Sequence, residues 1–205
     1  SMDTTVVSTA MKKIVQDLNG TEYYSWPFTI YMLCSTVSIP IFGGLGDILG
    51  RKVTLLIGIL IFITSSMLCG TSGTMMQLIV YRAFQGVGAG IINALIFTSV
   101  ADLFKPKERP KYMGIVTSVY GISSILGPLI GGFITDNFTW RWVFYVNVPA
   151  SIVALILIAV VMPNFKSEGE CKKSIDFPGI FTLIFALVPL LLALSQGGKD
   201  YSWYS

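Results

Sequence analysis

The stretch WPFTIYMLCSTVSIPIFGGLGDILGRKVTLLIGILIFITSSMLCG, residues 26–70, decides the fold. Two charge-free apolar segments flank a glycine-rich turn that carries Asp47, Arg51 and Lys52. A helix rises about 1.5 Å per residue, so roughly 20 apolar residues cross the hydrocarbon of a bilayer. Each flank is long enough, and the pair reads as a transmembrane hairpin. Outward from it, the gaps between charged residues repeat the pattern. Uncharged runs cover 23–46, 53–81, 83–101, 112–135, 142–165 and 177–198. A lone charge in hydrocarbon costs several kcal/mol by most estimates, so these gaps predict six complete spans. The opening SMDTTVVSTAM reads as the outgoing half of a further helix, and the chain as a piece of a longer membrane protein.

Composition agrees. Of 205 residues, 53% are hydrophobic and 12% charged, against roughly 25% charged in soluble domains. So few charges cannot clothe a soluble core of this size, and the shell must be lipid. The net charge of +3 does not suggest nucleic acid, because the basic residues sit in short clusters between apolar runs. Cys34, Cys69 and Cys171 are odd in number and far apart, which suggests neither a disulfide framework nor a metal site. Histidine is absent, so any proton chemistry falls to carboxylates. Lys and Arg are dense in the connections at 47–52, 102–111 and 164–176, which the positive-inside rule assigns to the cytoplasm. Segment 12–25 then reads as an amphipathic external connection.

Two charges do not fit a lipid-facing helix. Asp3 lies about nine positions before Lys12, roughly 13 Å below the outer surface. Arg82 lies about seven residues into the span that begins near Met75, roughly 10 Å below the same surface. Opposite charges at one depth read as a pair, or as two stations in a water-filled cavity. The plainer alternatives are a solvated helix terminus for Asp3 and an arginine-to-carbonyl contact for Arg82. Tyr31, Phe42 and Tyr120 are candidates for an aromatic wall facing planar cations, with packing as the alternative for each.

Glycine is patterned. Gly86, Gly88 and Gly90 follow Arg82, while Gly127, Gly131 and Gly132 bracket Pro128. Gly86 to Gly90 and Gly127 to Gly131 are small-xxx-small spacings, which let helix backbones approach closely. In the 43–52 turn, Gly43, Gly46 and Gly50 would allow a tight reversal, with Asp47, Arg51 and Lys52 forming a latch at the membrane edge. GGLGD at 43–47 and GGFITD at 131–136 match approximately on opposite sides, as an inverted repeat of two three-helix units would require.

These residues resemble the major facilitator superfamily, and within it the drug:proton antiporter family with fourteen spans. Gly43 to Leu55 is similar to the superfamily's signature loop between helices 2 and 3, with Ile48 where a basic residue is commoner. LIVYRAFQGVGAG at 78–90 resembles the helix 4 motif whose arginine is associated with proton transfer. SSILGPLIGG at 123–132 resembles the helix 5 antiporter motif through Gly127, Pro128, Gly131 and Gly132, although Ser123 stands where glycine is frequent. MDTTVVSTAM resembles the helix 1 motif with a membrane-embedded aspartate, and WRWVFYVNVP at 140–149 resembles the family's helix 6 start.

The resemblance implies an all-helical membrane protein, an N-terminal six-helix bundle in a 3+3 inverted repeat with one additional transmembrane helix. The expected division is a bundle over 1–163, a cytoplasmic linker over 164–176, and a seventh helix with an external tail over 177–205. The implied function is transport rather than catalysis: antiport of lipophilic, cationic compounds against protons by alternating access, with no cofactor beyond the proton gradient and no metal. Asp3 and Arg82 would bind substrate and proton. Gly43, Asp47, Gly50, Arg51 and Lys52 would form the conformational switch. The expected partners are the bilayer of the plasma membrane, small lipophilic molecules and the missing C-terminal half. Two alternatives remain open, a non-transporting truncated fragment and a seven-helix receptor. The receptor lacks support, since no Asp/Glu-Arg-Tyr ends helix 3 and no Asn-Pro-x-x-Tyr closes helix 7.

Overall fold

The computed structural model describes residues 2–163 and 177–196, and the described residues are helices joined by short turns. In order these are α1 (Met2–Asp17), a 3-10 turn (Thr21–Tyr23), α2 (Trp26–Leu49), α3 (Arg51–Thr71), α4 (Met75–Leu103), α5 (Arg109–Asn137), α6 (Trp142–Tyr145), α7 (Asn147–Val161) and α8 (Phe177–Gln196). Five stretches are long and apolar enough to cross a membrane: Thr21–Leu49, Arg51–Thr71, Met75–Leu103, Arg109–Asn137 and Trp142–Val161. The last is α6 and α7 together, interrupted at Val146. In α8 the apolar stretch is shorter, Pro178–Leu191, so five of the six expected complete spans meet the length criterion. The expected linker at 164–176, with Cys171, and the tail beyond 196 lie outside the described residues.

Local sequence explains most boundaries. Pro27 stands in the first turn of α2 and Pro110 in that of α5, where the missing N–H costs no hydrogen bond. Thr74 caps α4 by accepting a hydrogen bond from the Gln77 backbone N–H at 3.3 Å. Gly50 separates α2 from α3 with a φ of 94°, a value that L side chains rarely adopt. Two expectations change here. Gly43 and Gly46 do not build the turn, because α2 runs on through Leu49 and only Gly50 reverses the chain. Segment 12–25 is not a connection throughout, because α1 continues to Asp17 and carries Lys12 and Lys13 on its last turns.

Three of the helix pairings match an inverted repeat, whereas the extensive α3–α4 contact has only a slight counterpart between α1 and α6. α1 packs on α5, α2 on α4, and α3 on α6 and α7. Exchanging the first three spans with the second three turns the α1–α5 pair into the α4–α2 pair and leaves the third pair unchanged. Glycine sets the closeness of these contacts. A Cβ on Gly86 would lie 2.5 Å from the Tyr31 carbonyl oxygen, and one on Gly90 would lie 2.7 Å from Ser38 Cβ, so α4 rests against α2. A Cβ on Gly127 would lie 2.8 Å from Thr5 Cβ, and one on Gly131 would lie 2.9 Å from the Val6 carbonyl oxygen, so α5 rests against α1. Gly88 meets the backbone of Phe62 in α3 in the same way. Between helices surrounded by lipid, close packing of small residues supplies association that the hydrophobic effect does not.

The buried apolar residues form two clusters. One lies at the end of the bundle that holds the α3–α4 turn and joins α1, α4, α6 and the turn before α6 through Val6, Ala10, Ile14, Leu78, Phe144 and Trp140. The other joins α3 and α4 toward the inner side through Leu55, Ile59, Ile63, Ile91 and Leu95. Ile125, Leu129 and Phe133 on α5 are about two-thirds exposed, and Val160 on α7 is 78% exposed. Exposed side chains of this size are at home against acyl chains and would be a liability in water.

Candidate functional site

Helices α1, α2, α3 and α4 and the α6–α7 span converge on Asp3 and Arg82. The Arg82 side chain is fully buried and that of Asp3 is 6% exposed. Arg82 Nη1 donates to Asp3 Oδ2 at 2.6 Å and to Gln85 Oε1 at 2.9 Å. Its Nε donates to the Pro27 carbonyl at 3.4 Å, and the guanidinium carbon sits 4.0 Å from the centre of the Tyr31 ring. Asp3 Oδ1 accepts from Gln85 Nε2 at 3.1 Å and from Asn147 Nδ2 at 2.8 Å. Gln85 Nε2 also donates to Ser66 Oγ at 3.2 Å, and Ser66 Oγ donates to the Phe144 carbonyl at 2.9 Å. The carboxylate therefore takes three hydrogen bonds, from α4 and α7, while Ser66 extends the network to α3 and the α6 backbone.

The local reasons for this convergence are visible in the sequence. Residues three apart on a helix share a face, so Arg82 and Gln85 both point from α4 toward α1. Asn147 is the first residue of α7, just past the interruption at Val146. The close approach of α4 to α2 through Gly86 holds Tyr31 under the guanidinium. Buried charges need a partner and satisfied hydrogen bonds, and this pair has both. Arg82 Nη2 is the exception, a buried donor with no partner among the described residues.

A cavity of about 400 Å³ opens beside the pair, lined from α1, α2, α3, α4, α5 and α7. Asp3, Tyr31 and Asn147 stand at its wall, and Leu55 and Ile158 line it nearer the inner side. Tyr120 donates to Asn93 Oδ1 across it at 2.5 Å. Of the three aromatic candidates, Tyr31 and Tyr120 line this cavity, whereas Phe42 packs against the inner apolar cluster.

A second charged cluster lies at the inner end. Arg51 Nη2 pairs with Asp47 Oδ1 at 3.0 Å, one turn apart, and Arg51 Nε pairs with Asp102 near the end of α4. The Arg51 side chain is 14% exposed, which makes it the best protected of the three. It ties the α2–α3 turn to α4. Lys52 makes no ion pair among the described residues, and a Cβ on Gly43 would meet nothing within 4 Å. At the outer end, Asp17 accepts from Trp140 Nε1 at 2.8 Å and lies 3.9 Å from Arg141, while Lys13 lies 3.6 Å from Asp136. Gly127 and Gly131 make the α1–α5 contact, whereas Gly132 faces open space and Pro128 is exposed.

Sequence reasoning missed Gln85, Asn147, Ser66 and Asp102. Gln85 had a signal, a polar side chain three residues from a buried arginine. Asp102 had another, a carboxylate at the same inner edge as Arg51.

A sequence model described as Major Facilitator Superfamily matches residues 1–198. The chain is 45% identical over 205 residues to the Multidrug transporter protein MdtP of Bacillus subtilis, covering all of this chain and 38% of that protein. It is 44% identical over 205 residues to Multidrug resistance protein 3 of the same organism, again over all of this chain and 40% of the relative. The MFS-type transporter FPY5 of Fusarium mangiferae is 39% identical over 217 aligned residues, covering all of this chain and 36% of that relative. The chain thus spans about two-fifths of the length of the curated relatives it matches.

Proposed function

Because the chain belongs to the Major Facilitator Superfamily, a family of multi-pass membrane transporters and not of enzymes, we propose that it forms the N-terminal part of a proton-coupled exporter of lipophilic compounds. Residues 1–163 would be the six-span bundle, 164–176 the cytoplasmic linker and 177–205 a seventh transmembrane helix with an external tail. The remaining half of a longer protein would close over the cavity, and the plasma membrane would be its location. A relative named as a multidrug transporter and another named as a multidrug resistance protein support export of more than one compound.

The observation that carries the reading is a carboxylate, Asp3, buried at the wall of a cavity and paired with Arg82. A guest that enters the cavity meets this carboxylate directly, because Asp3 stands in the cavity wall while its oxygens are held by Arg82, Gln85 and Asn147. When Asp3 takes a proton, Arg82 loses its counter-charge. The unpaired Nη2 then gives Arg82 a reason to seek a new acceptor, which ties proton uptake to rearrangement of α1 against α4. At the inner edge, Arg51 with Asp47 and Asp102 would hold one conformation and release in the other.

The test uses inverted membrane vesicles carrying the full-length transporter and an imposed proton gradient. A panel of lipophilic compounds, uncharged and cationic, should include some that collapse the gradient, and Asp3→Asn should abolish that response. A mutant that responds like the wild type removes Asp3 from the coupling.

A further inference from the structure

The wall of the 400 Å³ cavity contains one formal charge, that of Asp3, and that charge is already spent. Its two oxygens accept from Arg82, Gln85 and Asn147, and the Arg82 cation balances it. A cationic guest would have to compete with a guanidinium already seated at 2.6 Å. The polar groups with free valence are of another kind. Asn147 uses its amide nitrogen on Asp3, and a carboxylate only accepts, so the carbonyl oxygen of Asn147 is the atom left over. Asn93 uses its oxygen on Tyr120, which leaves its amide nitrogen.

The serines add an independent observation. Helical hydroxyls in apolar surroundings normally bond back to a carbonyl one turn earlier. Thr36, Thr54, Thr64, Thr98, Thr117 and Ser118 all do so here. Ser123 on α5 and Ser151 on α7 bond to no described residue, as Ser35, Ser38 and Ser99 also do not, but of these five only Ser123 and Ser151 line the cavity. Ser151 follows Asn147 by one helical turn, so their side chains share the face of α7 that looks into the space. An uncharged amide oxygen, an amide N–H and two free hydroxyls therefore line one chamber, together with Asp3, the Tyr31 and Tyr120 rings and a majority of apolar side chains.

We infer that this chain's wall of the cavity recognises uncharged lipophilic molecules bearing a carbonyl or hydroxyl group, held by Ser123, Ser151, Asn93 and Asn147, and not permanent cations held by Asp3. The inference rests on the exporter reading and specifies its substrate class. Asp3 then serves the proton alone, and the substrate acts on it through Asn147, whose two amide ends touch the carboxylate and the cavity.

The experiment compares tritiated progesterone, uncharged and carbonyl-bearing, with tetraphenylphosphonium, a permanent cation, on the purified full-length transporter and in proteoliposomes. Progesterone should bind saturably, and Ser123→Ala and Ser151→Ala should each weaken it by about three- to tenfold, the range for loss of one neutral hydrogen bond. Ser124→Ala, whose hydroxyl bonds to the Gly121 carbonyl, should leave binding unchanged, and all three variants should keep the wild-type melting profile. Tetraphenylphosphonium should bind more weakly and ignore the serine substitutions. If tetraphenylphosphonium drives proton exchange while progesterone does not bind, or if the serine variants bind progesterone like the wild type, the inference is overturned and the exporter reading stands. If neither compound, nor any other in the panel, drives exchange, the exporter reading itself fails.

Discussion

Consider a double-mutant cycle on Asp3 and Arg82 in the full-length protein. Arg82→Met keeps the length of the apolar stem and removes the guanidinium. That deletes the 2.6 Å bond to Asp3, the 2.9 Å bond to Gln85, the bond to the Pro27 carbonyl and the contact with the Tyr31 ring. Asp3 is left 6% exposed with two amide donors and no counter-charge. Asp3→Asn leaves the reciprocal defect, a fully buried cation facing a neutral amide. Removing one member of a buried pair typically costs about 3–5 kcal/mol, whereas replacing both by neutral groups is often close to neutral. Each single variant should therefore be destabilised by about 3–5 kcal/mol, and the double variant by less than either. Unfolding in detergent, followed by labelling of the buried Cys69 thiol, reads the effect directly. If the double variant loses the sum of the two single losses to within about 0.5 kcal/mol, the side chains act independently and the pairing argument is refuted.

Asp102→Asn and Asp47→Ala should each slow turnover more than they weaken equilibrium substrate binding, because they touch Arg51 and not the cavity; equal effects in kinetic and binding assays would contradict the latch. Gly86→Ala should lower stability by about 1–3 kcal/mol, the usual cost of overpacking, because its Cβ would lie 2.5 Å from the Tyr31 carbonyl oxygen. Gly121→Ala meets nothing within 4 Å and should be neutral or stabilising by up to about 1 kcal/mol through helix propensity, so thermal melting that ranks the two variants the other way contradicts the packing account.

The spans were legible because charge is expensive in hydrocarbon, and gaps between charges therefore mark lipid. The same logic singled out Asp3 and Arg82. It is blind to neutral amides, and for that reason Gln85 and Asn147 passed as ordinary residues of apolar runs although they complete the site. It also marks where a chain leaves hydrocarbon rather than where a helix ends, so Lys12 and Lys13 looked like the end of α1 although the helix continues to Asp17. Glycine is ambiguous in sequence, since it serves both turns and close packing. At Gly86, Gly90, Gly127 and Gly131 the packing reading holds; at Gly43 and Gly46 the turn reading fails, and a Cβ on Gly46 would instead run into the Leu95 side chain at 2.5 Å. Asp102 was passed over because a carboxylate at a helix end looks like ordinary surface until the fold brings Arg51 beside it.

In the proposed exchange cycle, Asp3 is the group that would give up a proton when substrate arrives. The direct measurement is proton release on substrate addition to the purified full-length transporter in unbuffered detergent solution, followed with a soluble pH dye. The wild type and Asp136→Asn, which changes a carboxylate that is 78% exposed at the outer surface, should release protons alike, and Asp3→Asn should release none. Undiminished release from Asp3→Asn would contradict the claim.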